Sequence, residues 1–161
     1  MNQTEITLLI AIGGWAIAIL LAITNLFEKL SLRKQELFVT SLQFLTGGSQ
    51  RRSVGIAIIE NLSSKSNKYN NGIIPALINQ AVYLLLESKQ SDARHEFHNL
   101  IRILTLILRL KYDKKFYDYY CELNTALIIR SKNIKQSKGI EITPESAKLW
   151  RKKISNYANI E

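Results

Sequence analysis

The amino-acid sequence predicts an all-α chain in which an N-terminal transmembrane helix continues into a small HEAT-like antiparallel helical domain. Three observations predict this class: an apolar stretch from Ile6 to Phe27, a low content of proline (two) and glycine (seven), and apolar residues that recur at helical spacing afterwards. We expect a membrane anchor at residues 1–30, a cytoplasmic helical domain at 31–131, and a basic connection with a C-terminal helix at 132–161.

The stretch from Ile6 to Phe27 has the roughly 20 apolar residues that a helix needs to cross a bilayer, and it holds no ionisable side chain. A cleavable signal peptide is the first alternative, but no positive segment precedes the stretch and no small-x-small site follows it. A buried core helix is the second, but uncharged stretches of this length are unusual in a small soluble domain. Lys29, Arg33 and Lys34 follow the stretch, so the positive-inside rule predicts that the C-terminus lies in the cytoplasm and the N-terminus outside. We therefore expect a single-pass protein of the inner-membrane type.

Three small residues recur at every fourth position of the apolar stretch. Gly14, Ala18 and Ala22 would lie on one helix face, along which two membrane helices can approach closely. Small residues are also common in membrane helices that do not associate. Self-association through this face and simple membrane composition therefore both stay open.

The chain after the stretch predicts a series of helices separated by turn signals. The first helix should continue without interruption to Thr46 and stop at Gly47 and Gly48. The next helix should begin at Ser49, with Arg51 and Arg52 facing outward. Its buried side should consist of Val54, Ala57, Ile58 and Leu62. The polar segment from Ser63 to Gly72 should be the longest internal loop.

Four further helix starts can be read from proline and capping residues. Pro75 should lie in the first turn of a strongly apolar helix that is central to the core, and Ser91 with Asp92 should begin the following one. Asp113 should cap a helix that carries Phe116, Tyr120, Leu123 and Leu127. After a basic connection from Ser131 to Ile142, Thr143 and Pro144 should begin the last helix, with Ala147, Trp150, Ile154 and Tyr157 on its apolar side.

Two parts of the sequence can be superimposed with a shift of 42 residues. The segment from Ser49 to Leu62 matches the segment from Ser91 to Leu104, and Leu42 before the first corresponds to Leu84 before the second. A period of roughly 40 to 47 residues is typical of HEAT and armadillo repeats. The segment LQFLTGGSQRRSVGIAIIENL resembles the helix pair of that family, and it also looks like small single-span bacterial membrane proteins with such a pair. The resemblance covers Leu37 to Leu110 and implies a binding scaffold.

The chain is basic, with a formal net charge of +9, and much of the excess lies near the C-terminus. Lys148, Arg151, Lys152 and Lys153 stand close together in the last predicted helix. Such a segment can bind nucleic acid or the anionic headgroups of the cytoplasmic leaflet. For a chain that is already anchored in that leaflet, we favour membrane lipids as the partner.

Two histidines are the only residues that suggest a metal ligand pair. His95 and His98 lie one helical turn apart, but their spacing is not that of H-E-x-x-H and no Cys or acidic cluster near them in the sequence would complete a site. We also find no nucleophile elbow and no phosphate-binding glycine loop. We therefore expect no enzyme, no metal and no cofactor.

Aromatic residues alternate with lysines in the stretch KYDKKFYDYYCEL. Stacking rings between cations can hold single-stranded nucleic acid, but Asp113, Asp118 and Glu122 would repel phosphate, so nucleic acid is an unlikely partner. Most of these rings should pack into the core. Tyr117 and Tyr119 lie off the apolar stripe and are the candidates for contact with a partner.

Arginines begin the two matching helices of the repeat. Arg51, Arg52 and Arg94 would lie on one edge of stacked helix pairs, where they can bind an acidic partner or phosphate; surface solvation or pairing with Glu87 and Glu96 is the alternative. The sequence thus predicts a membrane-anchored, non-enzymatic module that recruits or senses a cytoplasmic protein and can self-associate through its span. The alternatives are a membrane-acting effector, such as a toxin or defence component whose span oligomerises to disrupt the bilayer, and a membrane-tethered nucleic-acid binder.

Overall fold

The computed structural model describes residues 3–65, 67–88, 93–132 and 139–160, and all regular structure in these ranges is helical. The all-α class is therefore confirmed. In chain order the helices are α1 (Gln3–Leu45), α2 (Ser49–Lys65), α3 (Asn70–Leu86), α4 (Ala93–Arg109), α5 (Tyr117–Ser131) and α6 (Pro144–Ala158). Two short 3-10 segments, Asn67–Tyr69 and Lys114–Phe116, precede α3 and α5.

The chain divides into two compact units, Met1–Leu37 and Phe38–Glu161. In the first unit α1 exposes a series of large apolar side chains, namely Trp15, Ile17, Ile19, Leu20, Leu21, Ile23, Leu26 and Phe27. Across the part of the chain that the structure describes, no helix combines the length and the hydropathy that a membrane crossing requires.

The turn between α1 and α2 lies where the glycine pair predicts it. Helix α1 ends at Leu45, and the Gly47 N–H donates to the Phe44 carbonyl at 3.1 Å. Gly55 lets α2 approach the last turns of α1, because a Cβ at that position would lie 2.8 Å from the Ser41 carbonyl oxygen. The predicted uninterrupted helix and its stop are confirmed.

The predicted loop from Ser63 to Gly72 is wrong, because most of this segment is helical. Helix α2 continues to Lys65, and α3 begins at Asn70. Tyr69 stacks on Phe38 with ring centroids 5.0 Å apart, so tertiary packing outweighs the local preference of Ser and Asn for turns. Pro75 consequently lies inside α3 rather than in its first turn.

Helix α2 buries a different face from the one that the sequence predicted. Ile56 and Ile59 are fully buried, whereas the predicted Val54 and Ala57 are exposed. Of the predicted set, Leu62 is buried. Apolar residues occur on several sides of this helix, so periodicity alone does not identify the buried side. The correction matters because Arg52 lies on the same side as Ile56 and Ile59.

The helices of the second unit pack around α3 and α4. Helix α3 contacts α4 and α5, helix α4 also contacts α2 and α6, and α5 contacts α6. Helix α3 is central to the core, as predicted, and contributes Ile73, Ile74, Leu77, Ile78, Ala81, Leu84 and Leu85.

The end of the predicted basic connection closes the C-terminal end of α3. The Gly139 N–H donates to the Ser88 carbonyl at 2.7 Å, and the Ile140 N–H donates to the Leu84 carbonyl at 2.9 Å. The Arg130 side chain donates to the Leu85 carbonyl at 2.6 Å. Ile140 is buried in the core, so this end of the connection is structural; residues 133–138 lie outside the described residues.

The predicted cap of the last helix is confirmed, because the Thr143 hydroxyl accepts a hydrogen bond from the Ser146 N–H at 3.2 Å. Asp113 caps the 3-10 segment Lys114–Phe116 rather than α5: its carboxylate accepts a hydrogen bond from the Lys115 N–H at 3.1 Å, and α5 begins at Tyr117. Helix α6 then buries its predicted apolar side through Ala147, Trp150 and Ile154. The predicted start of α4 at Ser91 and Asp92 lies outside the described residues.

Candidate interaction surfaces

Arg52 is buried, with only 4% of its surface exposed, which corrects the expectation that it faces outward to a partner. Its Nε donates to the Leu45 carbonyl at 2.9 Å, and its Nη2 donates to the Gly47 carbonyl at 2.8 Å. Its Nη1 forms a buried ion pair with the Glu96 carboxylate. Pairing with Glu96 was the alternative reading of this arginine, and it is confirmed.

Arg52 therefore connects three helices. It donates to the Leu45 carbonyl at the C-terminal end of α1, and it carries the charge that balances Glu96 on α4. Burial lowers the pKa of the Arg52 guanidinium, although an arginine stays charged at neutral pH. The sequence signal for this role is the spacing of Arg52 from Ile56 and Ile59, which is that of one helix face.

Helices α2 and α4 form a groove along their N-terminal halves. The groove has a volume of about 340 Å³. It is lined by Ser49, Gln50, Ser53 and Val54 from α2 and by His95, His98, Asn99 and Arg102 from α4.

Hydrogen bonds fix the floor of the groove. The Asn99 amide donates to the Ser49 carbonyl at 2.9 Å, and Arg102 donates to the Ser53 hydroxyl at 3.0 Å. Arg102 also pairs with Glu60 at 2.7 Å. These contacts hold α2 and α4 in one register. Asn99 and Arg102 were not among the predicted site residues, because their role depends on the pairing of two helices distant in sequence.

The arginines at the start of the two helices have different environments. Arg51 and Arg94 are exposed. Since Asn99 contacts Ser49 and Arg52 pairs with Glu96, the first turns of α2 and α4 lie near each other. Arg51 and Arg94 adjoin the groove lining in sequence but are not part of it. The structure thus retains two of the three predicted arginines at a surface and places Arg52 beneath it.

His95 and His98 are both exposed and both line the groove. Among the residues with described positions, no group of three or more His, Cys, Asp and Glu side chains is placed to hold a metal ion. Both histidines form part of the α4 side of the groove lining.

The aromatic stretch before and within α5 packs mostly inward. Tyr120 is fully buried and forms a cluster with Tyr112 and Tyr157, with ring centroids 5.6 and 5.8 Å from the Tyr120 ring. Burial raises the pKa of the Tyr120 hydroxyl. Of the two predicted contact residues, Tyr119 is half-buried against Phe116, whereas Tyr117 is 38% exposed.

Helix α6 presents a cationic face on the side opposite its buried residues. Lys148, Arg151, Lys152 and Lys153 are all exposed, and Leu149 among them is 52% exposed. The Lys153 ammonium lies 4.6 Å from the centre of the Trp150 ring. None of the four cations forms an ion pair with another residue in the described ranges.

The remaining predicted residues lie on the exposed surface of the first unit. Gly14, Ala18 and Ala22 are exposed along α1, and nothing lies within 4 Å of a Cβ built at Gly14. The three cations of the predicted headgroup contact are also exposed; they are Lys29, Arg33 and Lys34.

Comparison with protein-family models, with curated proteins and with solved structures finds no match to this chain. The resemblance to HEAT and armadillo repeats therefore stays a prediction, and the surfaces described above are interpreted from their own chemistry.

Proposed function

We propose that this protein is a membrane-tethered helical interaction module whose α6 face binds anionic lipid headgroups. The observation that carries the proposal is the group of four exposed cations around Leu149 on α6, which have no ion-pair partner in the described residues. The proposal is one of binding rather than catalysis, because the features that support it are charged and apolar surfaces.

The tether is the apolar stretch from Ile6 to Phe27. This stretch holds no ionisable side chain, and the large apolar side chains that the structure describes from Trp15 to Phe27 are exposed. A contiguous exposed apolar surface of this kind is typical of a membrane or protein contact. Lys29, Arg33 and Lys34 would then lie at the headgroups on the cytoplasmic side.

The chemistry of α6 suits a membrane surface. Each basic residue near an anionic leaflet contributes about 1 kcal/mol of attraction, and this attraction requires no fixed geometry. Leu149 is positioned between the cations to enter the headgroup region, as apolar residues of interfacial helices do. The opposite side of α6 packs in the core, so the domain would present this face without unfolding.

The tether is tested in cells that express the full chain. We expect it to remain in the membrane pellet after alkaline carbonate extraction. Leu20→Asp with Ile23→Asp should release it, because each charge near the centre of a membrane helix costs about 2.5–3.5 kcal/mol. Leu20→Ala with Ile23→Ala is the matched control and should stay in the pellet. Extraction of the unaltered chain by carbonate would contradict the tether.

The lipid contact of α6 is tested separately in the released Leu20→Asp, Ile23→Asp protein. We expect it to bind vesicles that contain phosphatidylglycerol but not vesicles of phosphatidylcholine alone, and to lose binding as salt rises. Replacement of the four α6 cations by glutamine should remove the binding. Equal binding to both kinds of vesicle would contradict the proposed headgroup contact.

Self-association through the tether is a further part of the proposal. Gly14→Leu with Ala18→Leu should reduce the signal of a membrane dimerisation reporter, because the larger side chains prevent close approach along the small-residue face. An unchanged signal would remove this part and leave the tether itself intact.

A further inference from the structure

The groove between α2 and α4 is a second surface with its own chemistry. Its floor is fixed by hydrogen bonds from Asn99 to Ser49 and from Arg102 to Ser53, so its shape is set before any partner arrives. A preformed surface binds with a smaller loss of conformational freedom than one that must be ordered.

The charges around the groove do not cancel. Helices α2 and α4 carry two glutamates in their described ranges, and both are already paired, Glu96 with Arg52 and Glu60 with Arg102. Arg51 and Arg94 are exposed and directly adjoin in sequence the groove-lining residues Gln50 and His95, and among the described residues neither forms an ion pair with a carboxylate. These two guanidinium groups next to the lining therefore suit an anionic segment that extends past the groove.

The wall of the groove also has an apolar component. Val54 lines the groove and is 50% exposed, although it lies beside Ser49, Gln50 and Ser53. A partner that contacts this groove would therefore place an apolar group against Val54 and its acidic groups toward Arg51 and Arg94.

We propose that the groove between α2 and α4 binds an acidic peptide segment in which carboxylates flank an apolar side chain. The inference rests on the proposed function as an interaction module and names the chemistry of the partner. Arginine is suited to carboxylates, since its planar guanidinium can donate two parallel hydrogen bonds to both oxygens.

A peptide fits these features better than a nucleic acid does. The groove spans only the first turns of two helices, whereas a nucleic-acid track requires cations along a longer path. The sugar-phosphate backbone has no apolar group to place against Val54. The four cations of α6 lie on another helix and are not part of the groove lining.

The test measures binding of a short fluorescent peptide of alternating glutamate and leucine to the full chain in neutral detergent. We expect binding that disappears when glutamine replaces the glutamates. Arg94→Gln should weaken the affinity by about tenfold, as the loss of one charge-assisted hydrogen-bonded pair does. Arg109→Gln removes an equal charge from an exposed position at the other end of the same helix, and it should change the affinity by less than about twofold.

Three outcomes would overturn the proposal: no binding of the acidic peptide, equal weakening by Arg94→Gln and Arg109→Gln, or stronger binding of an oligothymidine than of the peptide. Vesicle binding by the Arg94→Gln and Arg109→Gln variants distinguishes failure of the groove inference from failure of the lipid proposal. If the groove inference alone is wrong, the vesicle binding through α6 persists.

Discussion

The two cationic surfaces of the helical domain differ in how their charges are held. Near the α2–α4 groove, Arg52 and Arg102 form ion pairs with Glu96 and Glu60, whereas Arg51 and Arg94 are exposed. On α6 all four cations face outward, and three of the four are lysines. Positive charge thus fixes side-chain geometry near the groove, whereas on α6 it provides general attraction to anions.

The difference follows from what lies beneath each surface. The groove is built by two helices whose polar side chains hydrogen-bond to each other, whereas the buried side of α6 packs mainly through the apolar residues Ala147, Trp150 and Ile154. Buried arginine pairs need precise partners, because leaving one charge unpaired in the interior is costly. Exposed lysines need no such partners.

The largest expected effect is on stability, and it distinguishes Arg52 from the adjacent Arg51. Arg52→Gln should lower the free energy of unfolding by about 3–5 kcal/mol, because it leaves the buried Glu96 charge uncompensated. Arg51→Gln removes the same charge from an exposed position and should change stability by less than about 0.5 kcal/mol. Thermal and denaturant unfolding of the full chain, followed by circular dichroism, measure both. Equal effects would show that Arg52 does not hold the groove end together.

The second effect concerns the segment that leads to α6. Gly139 has φ of +87°, and a Cβ there would collide with the Leu85 carbonyl and the Arg130 side chain. We expect Gly139→Ala to destabilise the chain by about 1–2 kcal/mol or more, since an L-residue is strained at positive φ.

Gly48→Ala is the matched control for this glycine. Nothing lies within 4 Å of a Cβ built at Gly48, so its effect in the same unfolding experiment should stay within about 0.5 kcal/mol. A Gly139 variant as stable as the Gly48 variant would mean that the closure of α3 by this segment contributes little.

The smallest effect is on affinity, and it compares the replacement of arginine by lysine at the two surfaces. Arg94→Lys keeps the charge but loses the planar guanidinium, so we expect about a threefold to tenfold loss of affinity for the acidic peptide. Arg151→Lys on α6 should leave binding to anionic vesicles within about twofold, because headgroup attraction depends on charge alone. Fluorescence anisotropy and vesicle sedimentation give the two affinities. If Arg94→Lys binds the acidic peptide with unchanged affinity, the groove binds through charge alone, as the α6 face is proposed to do.

The all-α class and most helix positions follow from the sequence, because apolar spacing and caps act locally. Thr143 with Pro144 predicts the start of α6 correctly, and Gly47 with Gly48 predicts the end of α1. The loop expected at Ser63 to Gly72 fails, because Tyr69 gains more from stacking on Phe38 than the polar residues gain from a turn.

The candidate surfaces are harder to predict, because they depend on contacts between distant residues. Arg51 and Arg52 look equivalent in the sequence, and only the burial of Ile56 and Ile59 assigns Arg52 to the interior. Glu96 lies 44 residues from Arg52, so its pairing depends on how α4 packs against α2. The α6 cations were easier to find, since a cluster within one helix needs no tertiary contact.

The most direct test of two separate cationic surfaces compares two matched double variants in the Leu20→Asp, Ile23→Asp background. Each removes two positive charges: Arg51→Gln with Arg94→Gln next to the groove, and Lys148→Gln with Lys152→Gln on α6. We predict that the groove double variant no longer binds the acidic peptide but still binds anionic vesicles. The α6 double variant should still bind the peptide but no longer bind the vesicles. Equal loss of both ligands in both variants would contradict the account, because it would mean that net charge alone governs binding.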